Sequence, residues 1–115
     1  MGTQVYFNPS CSKCRTVQGI LGDKGVEAEY VRYLDSAPTR EQLVEVMGLL
    51  GIHDPRAMMR TGEPVYAELG LASAGPDELL DAMVSNPILI ERPIVVHDGR
   101  AVIARPAEKV LDLFD

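Results

Sequence analysis

Residues 4–14 read QVYFNPSCSKC, so a short strand-like run is followed at once by two cysteines spaced as Cys-x-x-Cys. Cys11 and Cys14 are the only cysteines in the chain. From residue 12 onward, apolar residues recur at helical spacing, which places the cysteine pair at a strand-to-helix turn. Two cysteines this close in sequence close almost no loop, so the pattern favours a redox or thiolate centre over a structural disulfide.

The pattern after the cysteines continues as helix and strand. The glycines in residues 22–25 end the first helix, and YVRY at 30–33 predicts a second strand, parallel to the first. Thr39 and Gln42 have the spacing of a capping box at the start of a second helix, with Leu43, Val46, Met47 and Leu50 on its apolar face. Residues 51–75 contain several prolines and glycines but keep Met58, Met59, Leu69 and Leu71, which predicts short helices joined by turns.

The last third of the chain predicts a helix, a hairpin and a closing helix. Residues 76–84 have an amphipathic helix pattern, and 92–96 read as a strand opened by a proline. Asp-Gly at 98–99 is a strong hairpin signal, with 101–104 as the antiparallel partner. Pro106 fits the first turn of a helix whose predicted apolar side is Val110, Leu111 and Phe114.

This element order predicts one thioredoxin-like α/β domain over residues 1–115. We expect a mixed four-stranded sheet with helices on both faces and a helical insertion between the second and third strands. A chain of 115 residues is long enough for one hydrophobic core but not for two.

Composition narrows the classes of function. The net charge of −6 argues against nucleic acid as a partner. The sequence shows neither a secretory signal nor an apolar run long enough to cross a membrane, so we expect a cytoplasmic protein without a membrane partner. A metal site is not expected, because His53 and His97 are the only histidines and stand apart.

Cys11 has the position of an activated thiol. The unpaired amides and the dipole of a helix N-terminus stabilise a thiolate there, and Lys13 and Arg15 add positive charge nearby. The backbone N–H groups of Ser12, Lys13 and Cys14 would also hold an oxyanion beside the sulfur. The alternatives are a buried, inert thiol at Cys11 and a bystander in the first helical turn at Cys14.

Three arginines occur where they could bind an anion. Arg60 lies in the irregular block, while Arg92 and Arg105 flank the two strands of the hairpin and can face the same end of the sheet. Guanidinium groups bind oxyanions in bidentate fashion, although a solvated surface charge is the ordinary role of arginine. Pro93 precedes the third strand, where either a cis proline beside the site or a simple edge proline fits.

Several segments resemble the ArsC family of thioredoxin-fold arsenate reductases, and they do so in order along nearly the whole chain. They are residues 8–12, 33–34, 58–60, 68–71, 87–96 and 105–106. The resemblance implies that Cys11 attacks arsenate to form a thiol-arsenate ester. It also implies that Ser12 and the clamp of Arg60, Arg92 and Arg105 bind the oxyanion, with Asn8 and Pro93 as structural neighbours.

Two positions depart from the family pattern. Phe7 stands where the well-known enzymes carry a histidine that helps to keep the cysteine ionised, and Cys14 stands where they have no cysteine. Those enzymes use glutathione and glutaredoxin as the reductant. For this chain we also expect a local Cys11–Cys14 disulfide, with reduction by thioredoxin or a similar dithiol protein and with no bound cofactor.

Spx-type transcription regulators provide the main alternative. They resemble the chain in fold, in the Cys-x-x-Cys pair and in the Arg-Pro-Ile segment at 92–94, but they bind RNA polymerase and use the cysteines as a redox switch. The Arg-Pro pair at 105–106 favours a reductase, whereas the cysteine pair favours the regulator. A general thiol oxidoreductase acting on another substrate is a further alternative.

Overall fold

The computed structural model describes residues 2–8, 12–35 and 37–114. It divides into two compact units, one formed by Met1–Ser36 with Arg92–Asp115 and the other by Ala37–Glu91. The eight main elements are β1 (Thr3–Phe7), α1 (Ser12–Asp23), β2 (Glu29–Arg32), α2 (Arg40–Leu50), α3 (Pro64–Glu68), α4 (Pro76–Ser85), β3 (Ile94–His97) and β4 (Arg100–Ile103). Four 3-10 helices complete the described elements, at Pro55–Met58, Leu71–Ser73, Pro87–Leu89 and Ala107–Phe114.

The first unit contains a four-stranded sheet in the order β2-β1-β3-β4. Strand β1 pairs parallel with β2 and antiparallel with β3, and β3 pairs antiparallel with β4. The expected α/β, thioredoxin-like fold with a mixed four-stranded sheet is therefore confirmed, and the helical segment does fall between the second and third strands. The expectation that residues 1–115 behave as one domain stays a prediction.

The hairpin between β3 and β4 follows from local sequence. Asp98 has φ 49° and Gly99 has φ 80°, so both central residues adopt the left-handed conformation that a tight type I′ turn requires. Aspartate tolerates this conformation better than most residues, and glycine adopts it without steric cost. The predicted hairpin is confirmed, with β4 starting one residue earlier than expected.

The core of the first unit joins the sheet to α1 and to the closing 3-10 helix. Val5, Val95, Val17 and Leu21 are fully buried there. The predicted apolar side of the closing helix was partly wrong, because Ala107, Val110 and Leu113 are its buried residues, whereas Leu111 and Phe114 are half-buried. A 3-10 helix repeats every three residues, so positions 107, 110 and 113 share one side, which an α-helical period does not predict.

The second unit begins with the predicted capping box. The Gln42 amide donates to Thr39 Oγ1 at 3.1 Å, and the Thr39 amide donates to Gln42 Oε1 at 2.9 Å. Two amides that the helix leaves unpaired are satisfied in this way, which fixes the start of α2. Of the four predicted apolar positions of α2, Leu43 and Val46 are buried, and Met47 and Leu50 are half-buried.

Residues 51–75 are ordered by one arginine that sequence analysis did not single out. The Arg56 guanidinium donates to the backbone carbonyls of Leu71, Ala72 and Ala74 at 2.8, 3.1 and 2.7 Å. These bonds tie the first 3-10 helix to the segment that follows α3. The prediction of short helices is confirmed, but Leu69, expected to be one of the packed residues, is 52% exposed.

We expect Thr39→Ala to lower the free energy of unfolding by about 1 kcal/mol, because it leaves an α2 amide without its side-chain acceptor. Thr39→Ser keeps the hydroxyl and is the matched control, with a smaller loss expected. Urea denaturation followed by circular dichroism measures both. Equal losses in the two variants would show that the cap hydrogen bond is not the stabilising interaction.

Candidate functional site

Cys14 lies in the first helix of the chain, and Cys11 precedes that helix in the sequence. Strand β1 ends at Phe7, and helix α1 begins at Ser12. Cys11, the predicted nucleophile, lies outside the described residues, so its role stays a prediction. The first turn of α1 contains Ser12, Lys13 and Cys14, whose amides belong to the part of a helix that lacks intrahelical acceptors and favours anions.

Cys14 is held against the end of β1. Its side chain is 1% exposed, and its Sγ accepts a hydrogen bond from the Asn8 amide at 3.4 Å. The structure therefore brings together two of the predicted site residues.

A second group of predicted residues lies at the start of β3 and the end of β4. The Arg92–Pro93 and Arg105–Pro106 peptide bonds are both cis. Arg105 Nη1 donates to the Arg92 carbonyl at 3.3 Å, and the Ala104 amide donates to the Pro93 carbonyl at 2.9 Å. The expectation that both arginines flank the hairpin at the same end of the sheet is confirmed.

The register of the sheet relates these two groups to each other. Tyr6 pairs with Ile94, and Ile94 pairs with Ile103, so the end of β1, the start of β3 and the end of β4 lie at one end of the sheet. Asn8 directly follows β1, Pro93 directly precedes β3, and Arg105 is the second residue after β4. At this end of the first unit lie the buried Pro93 and the backbones of Arg92 and Arg105. The Cys14 thiol reaches the same end through its hydrogen bond with the Asn8 amide.

Arg60 belongs to the second unit and follows the first 3-10 helix. Its amide donates to the Leu89 carbonyl at 2.7 Å, and the Glu91 amide donates to the Met58 carbonyl at 2.8 Å. The Arg60 side chain forms an ion pair with Glu63 through Nη1. Sequence analysis missed Glu63, although an acidic residue three positions after an arginine is a recognisable signal for such a pair.

Neither histidine hydrogen bonds to the Cys14, Arg92, Arg105 or Arg60 side chains in the described parts of the chain. His97 hydrogen bonds through Nδ1 to Thr3 Oγ1 at 2.7 Å and stacks on Phe114, at the opposite end of the sheet from the cysteine turn. His53 is exposed. Across residues 2–8, 12–35 and 37–114, no cluster of His, Cys, Asp or Glu could hold a metal ion, and no helix is long and apolar enough to cross a membrane.

The model of the ArsC family matches residues 6–113 of the chain. The chain belongs to the ArsC family. It is 44% identical over 96% of its length to the uncharacterized protein YfgD of Escherichia coli, covering 94% of that protein. It is 39% identical to the arsenate reductase of Neisseria meningitidis, over 93% of both chains. A solved arsenate reductase from Vibrio cholerae superposes with a TM-score of 0.95 at 41% identity, over 98% of both chains.

Phe7, one of the two residues expected to depart from the ArsC pattern, has a packing role in this chain. Its ring contacts Tyr30 edge to face, with centroids 5.3 Å apart and planes at 72°. Burial raises the pKa of the Tyr30 hydroxyl above its ordinary value, so Tyr30 stays neutral beside Phe7 at physiological pH. Neither residue therefore supplies a charge that could keep a nearby thiol ionised.

We expect Cys14 to resist alkylation in the folded protein. In a Cys11→Ser variant, iodoacetamide should modify Cys14 more slowly than in urea, on the order of a hundredfold, because the thiol is reached only when α1 opens from the sheet. Mass spectrometry of the labelled protein gives both rates. Similar rates in buffer and in urea would contradict the observed burial.

Proposed function

We propose that this ArsC-family chain reduces arsenate to arsenite, with Cys11 as the nucleophile and Cys14 as the resolving thiol. The observation that carries the proposal is the buried Cys14 thiol, bound to the Asn8 amide in the first turn of α1, in a chain 39% identical to an arsenate reductase. Such a turn suits an oxyanion because it combines unpaired amides with the positive end of a helix dipole.

The first step joins sulfur to arsenic. The Cys11 thiol loses its proton to solvent, and the thiolate attacks arsenic and displaces hydroxide, which takes up a proton and leaves as water. The amides of Ser12, Lys13 and Cys14 stabilise the thiolate and the oxygen atoms of the bound anion. The product is a thiol-arsenate ester in which arsenic is still pentavalent.

The second step transfers two electrons. The Cys14 thiol gives its proton to solvent and its sulfur attacks the Cys11 sulfur, so that an S–S bond forms and the pair of electrons in the S–As bond passes to arsenic. Arsenic becomes trivalent and leaves as arsenite, while two thiols have been oxidised to one disulfide. Burial of Cys14 hinders attack by thiols from solution, but a partner three residues away in sequence needs no access from solvent.

A dithiol protein or a glutathione–glutaredoxin couple then reduces the disulfide and completes the cycle. No bound cofactor or metal is required, because all electrons arrive as thiols. This chemistry needs a reducing compartment, for which the cytoplasm is the natural setting. The partners implied are a tetrahedral oxyanion and a thiol reductant, with neither nucleic acid nor membrane involved.

Arg60, Arg92 and Arg105 are the proposed anion ligands. The guanidinium group is always charged and presents paired N–H donors that match two oxygens of a tetrahedral anion. Arg92 and Arg105 are both half-buried at the end of the sheet where the hairpin strands meet the cis prolines. An anion bound at such a place is less screened by solvent than one on an open surface.

The activity is tested by arsenate-dependent NADPH oxidation with the purified chain, run in parallel with a thioredoxin system and a glutathione–glutaredoxin system. We expect turnover in at least the thioredoxin system and its loss in Cys11→Ser, which lacks the nucleophile. Cys14→Ser should lose turnover with thioredoxin, because no internal disulfide can form.

Each alternative has its own outcome in that experiment. Unchanged turnover of Cys14→Ser with every reductant would contradict the resolving role. Absence of turnover in both systems, together with a Cys11–Cys14 disulfide formed under oxidant, would replace the reductase by a redox-switched binding protein of the Spx type. Turnover that persists without arsenate would indicate a general thiol oxidoreductase.

Arg105→Lys should raise the KM for arsenate roughly tenfold, because lysine keeps the charge but loses the paired donors of the guanidinium group. Arg100→Lys is the matched control, since Arg100 begins β4 whereas Arg105 lies just beyond its other end. Steady-state kinetics of the two variants make the comparison. A KM that rises equally in both would indicate a general effect on the fold and not the loss of an anion ligand.

A further inference from the structure

Glu63 occupies the N-cap position of α3 but does not cap the helix. Its side chain accepts no hydrogen bond from the α3 amides and is paired with the Arg60 guanidinium instead. Residues that cap a helix use short polar side chains to reach the free amides, and glutamate is not among the favoured types. The position of Glu63 is therefore better explained by its contact with Arg60 than by the start of α3.

The backbone strengthens this contact. The Glu63 amide donates to the Arg60 carbonyl at 3.1 Å, which closes a turn over residues 60–63. On its other side, the Arg60 amide is bound to the Leu89 carbonyl at 2.7 Å. The side chains are 27% exposed at Arg60 and 18% exposed at Glu63. A pair so fixed and so little exposed is weakened less by solvent and salt than an ordinary surface pair.

The guanidinium retains capacity for a second anion. Of its five N–H donors, the one hydrogen bond that it makes within the described parts of the chain uses Nη1, toward Glu63. An oxyanion bound to the other donors of Arg60 would share that positive charge with the carboxylate. Glu63 and the bound anion would then repel each other across one guanidinium group.

We propose that Glu63 is a positioning residue and internal counter-ion that acts through Arg60 and limits how tightly the protein holds an oxyanion. The carboxylate keeps Arg60 aligned when no anion is bound, and it weakens the bound state so that the anion can leave. The inference rests on the proposed role of Arg60 as an anion ligand. If Glu63 has this role, removing its charge should tighten oxyanion binding. A residue with a purely structural role would not have that effect.

The Glu63→Gln substitution removes the negative charge of the side chain while keeping its size and shape. The glutamine side chain keeps an oxygen that can accept from Arg60 Nη1 but removes the negative charge. Phosphate binding should become tighter, roughly fivefold, which is the effect of one like charge several ångströms away at an intermediate dielectric constant. The gain should shrink as salt is raised, because screening reduces the same repulsion.

The test is isothermal titration calorimetry of inorganic phosphate into the reduced full-length protein, with phosphate as an unreactive substitute for arsenate. Glu68→Gln is the matched control, since Glu68 is exposed on the same helix and the change in net charge is identical. Arg60→Ala is measured alongside, and thermal unfolding confirms that each variant is folded. The expected result is tighter binding in Glu63→Gln alone and weaker binding in Arg60→Ala.

The possible failures are distinguishable. Binding in Glu63→Gln that is equal to or weaker than that of the unaltered protein would overturn the role of Glu63, provided Arg60→Ala still loses affinity. Equal tightening in Glu63→Gln and Glu68→Gln would reduce the effect to net charge and overturn it as well. Unchanged binding in Arg60→Ala, or no phosphate binding by any variant, would contradict the proposed anion site itself.

Discussion

The antiparallel pairing of β1 with β3 is the constraint on which the rest of the first unit depends. Val5 and Val95 face each other in this register, and both are fully buried. A slip by one residue would turn both side chains to the other face of the sheet, so the buried pair fixes the register. The same register places the end of β1 and the start of β3 together, and with them Asn8 and the Arg92–Pro93 segment.

This strand register brings different kinds of chemical group to one end of the sheet. The first turn of α1 offers the Cys14 thiol and helix amides, and the two ends of the hairpin offer guanidinium groups beside two cis prolines. Within the second unit, the Arg60 backbone is fixed by the Leu89 carbonyl, and the Arg60 charge is balanced by Glu63. The net charge of −6 makes the proposed anion ligands stand out against an acidic background.

Local signals in the sequence predicted the local structure well. The Thr39–Gln42 capping box and the Asp98-Gly99 turn depend on residues within a few positions of each other, and both are confirmed. The buried side of the closing helix was missed because sequence period alone did not reveal a 3-10 helix. Leu69 was misjudged for a similar reason, since burial depends on which surface a short helix presents to the rest of its unit.

The candidate site was predicted in part. Asn8, Arg92 and Arg105 have the strand-end positions expected from the element order, and Cys14 lies in the first turn of α1 as expected. Family resemblance supplied their suggested roles. The Arg60–Glu63 ion pair was overlooked despite its recognisable spacing. Contacts between elements could not be predicted, such as the hydrogen bond from the Asn8 backbone amide to Cys14 Sγ. Such contacts depend on rotamers and on the course of the backbone between elements, and neither has a sequence pattern of its own.

The central claim is that Cys11 and Cys14 together supply the two electrons that reduce arsenate. The most direct measurement is a single-turnover reaction of the fully reduced protein with excess arsenate and no external thiol, with arsenite quantified and the disulfide located by peptide mass spectrometry. The account predicts one arsenite per chain and one Cys11–Cys14 disulfide. Arsenite that forms only after glutathione is added, with Cys14 still reduced, would contradict it.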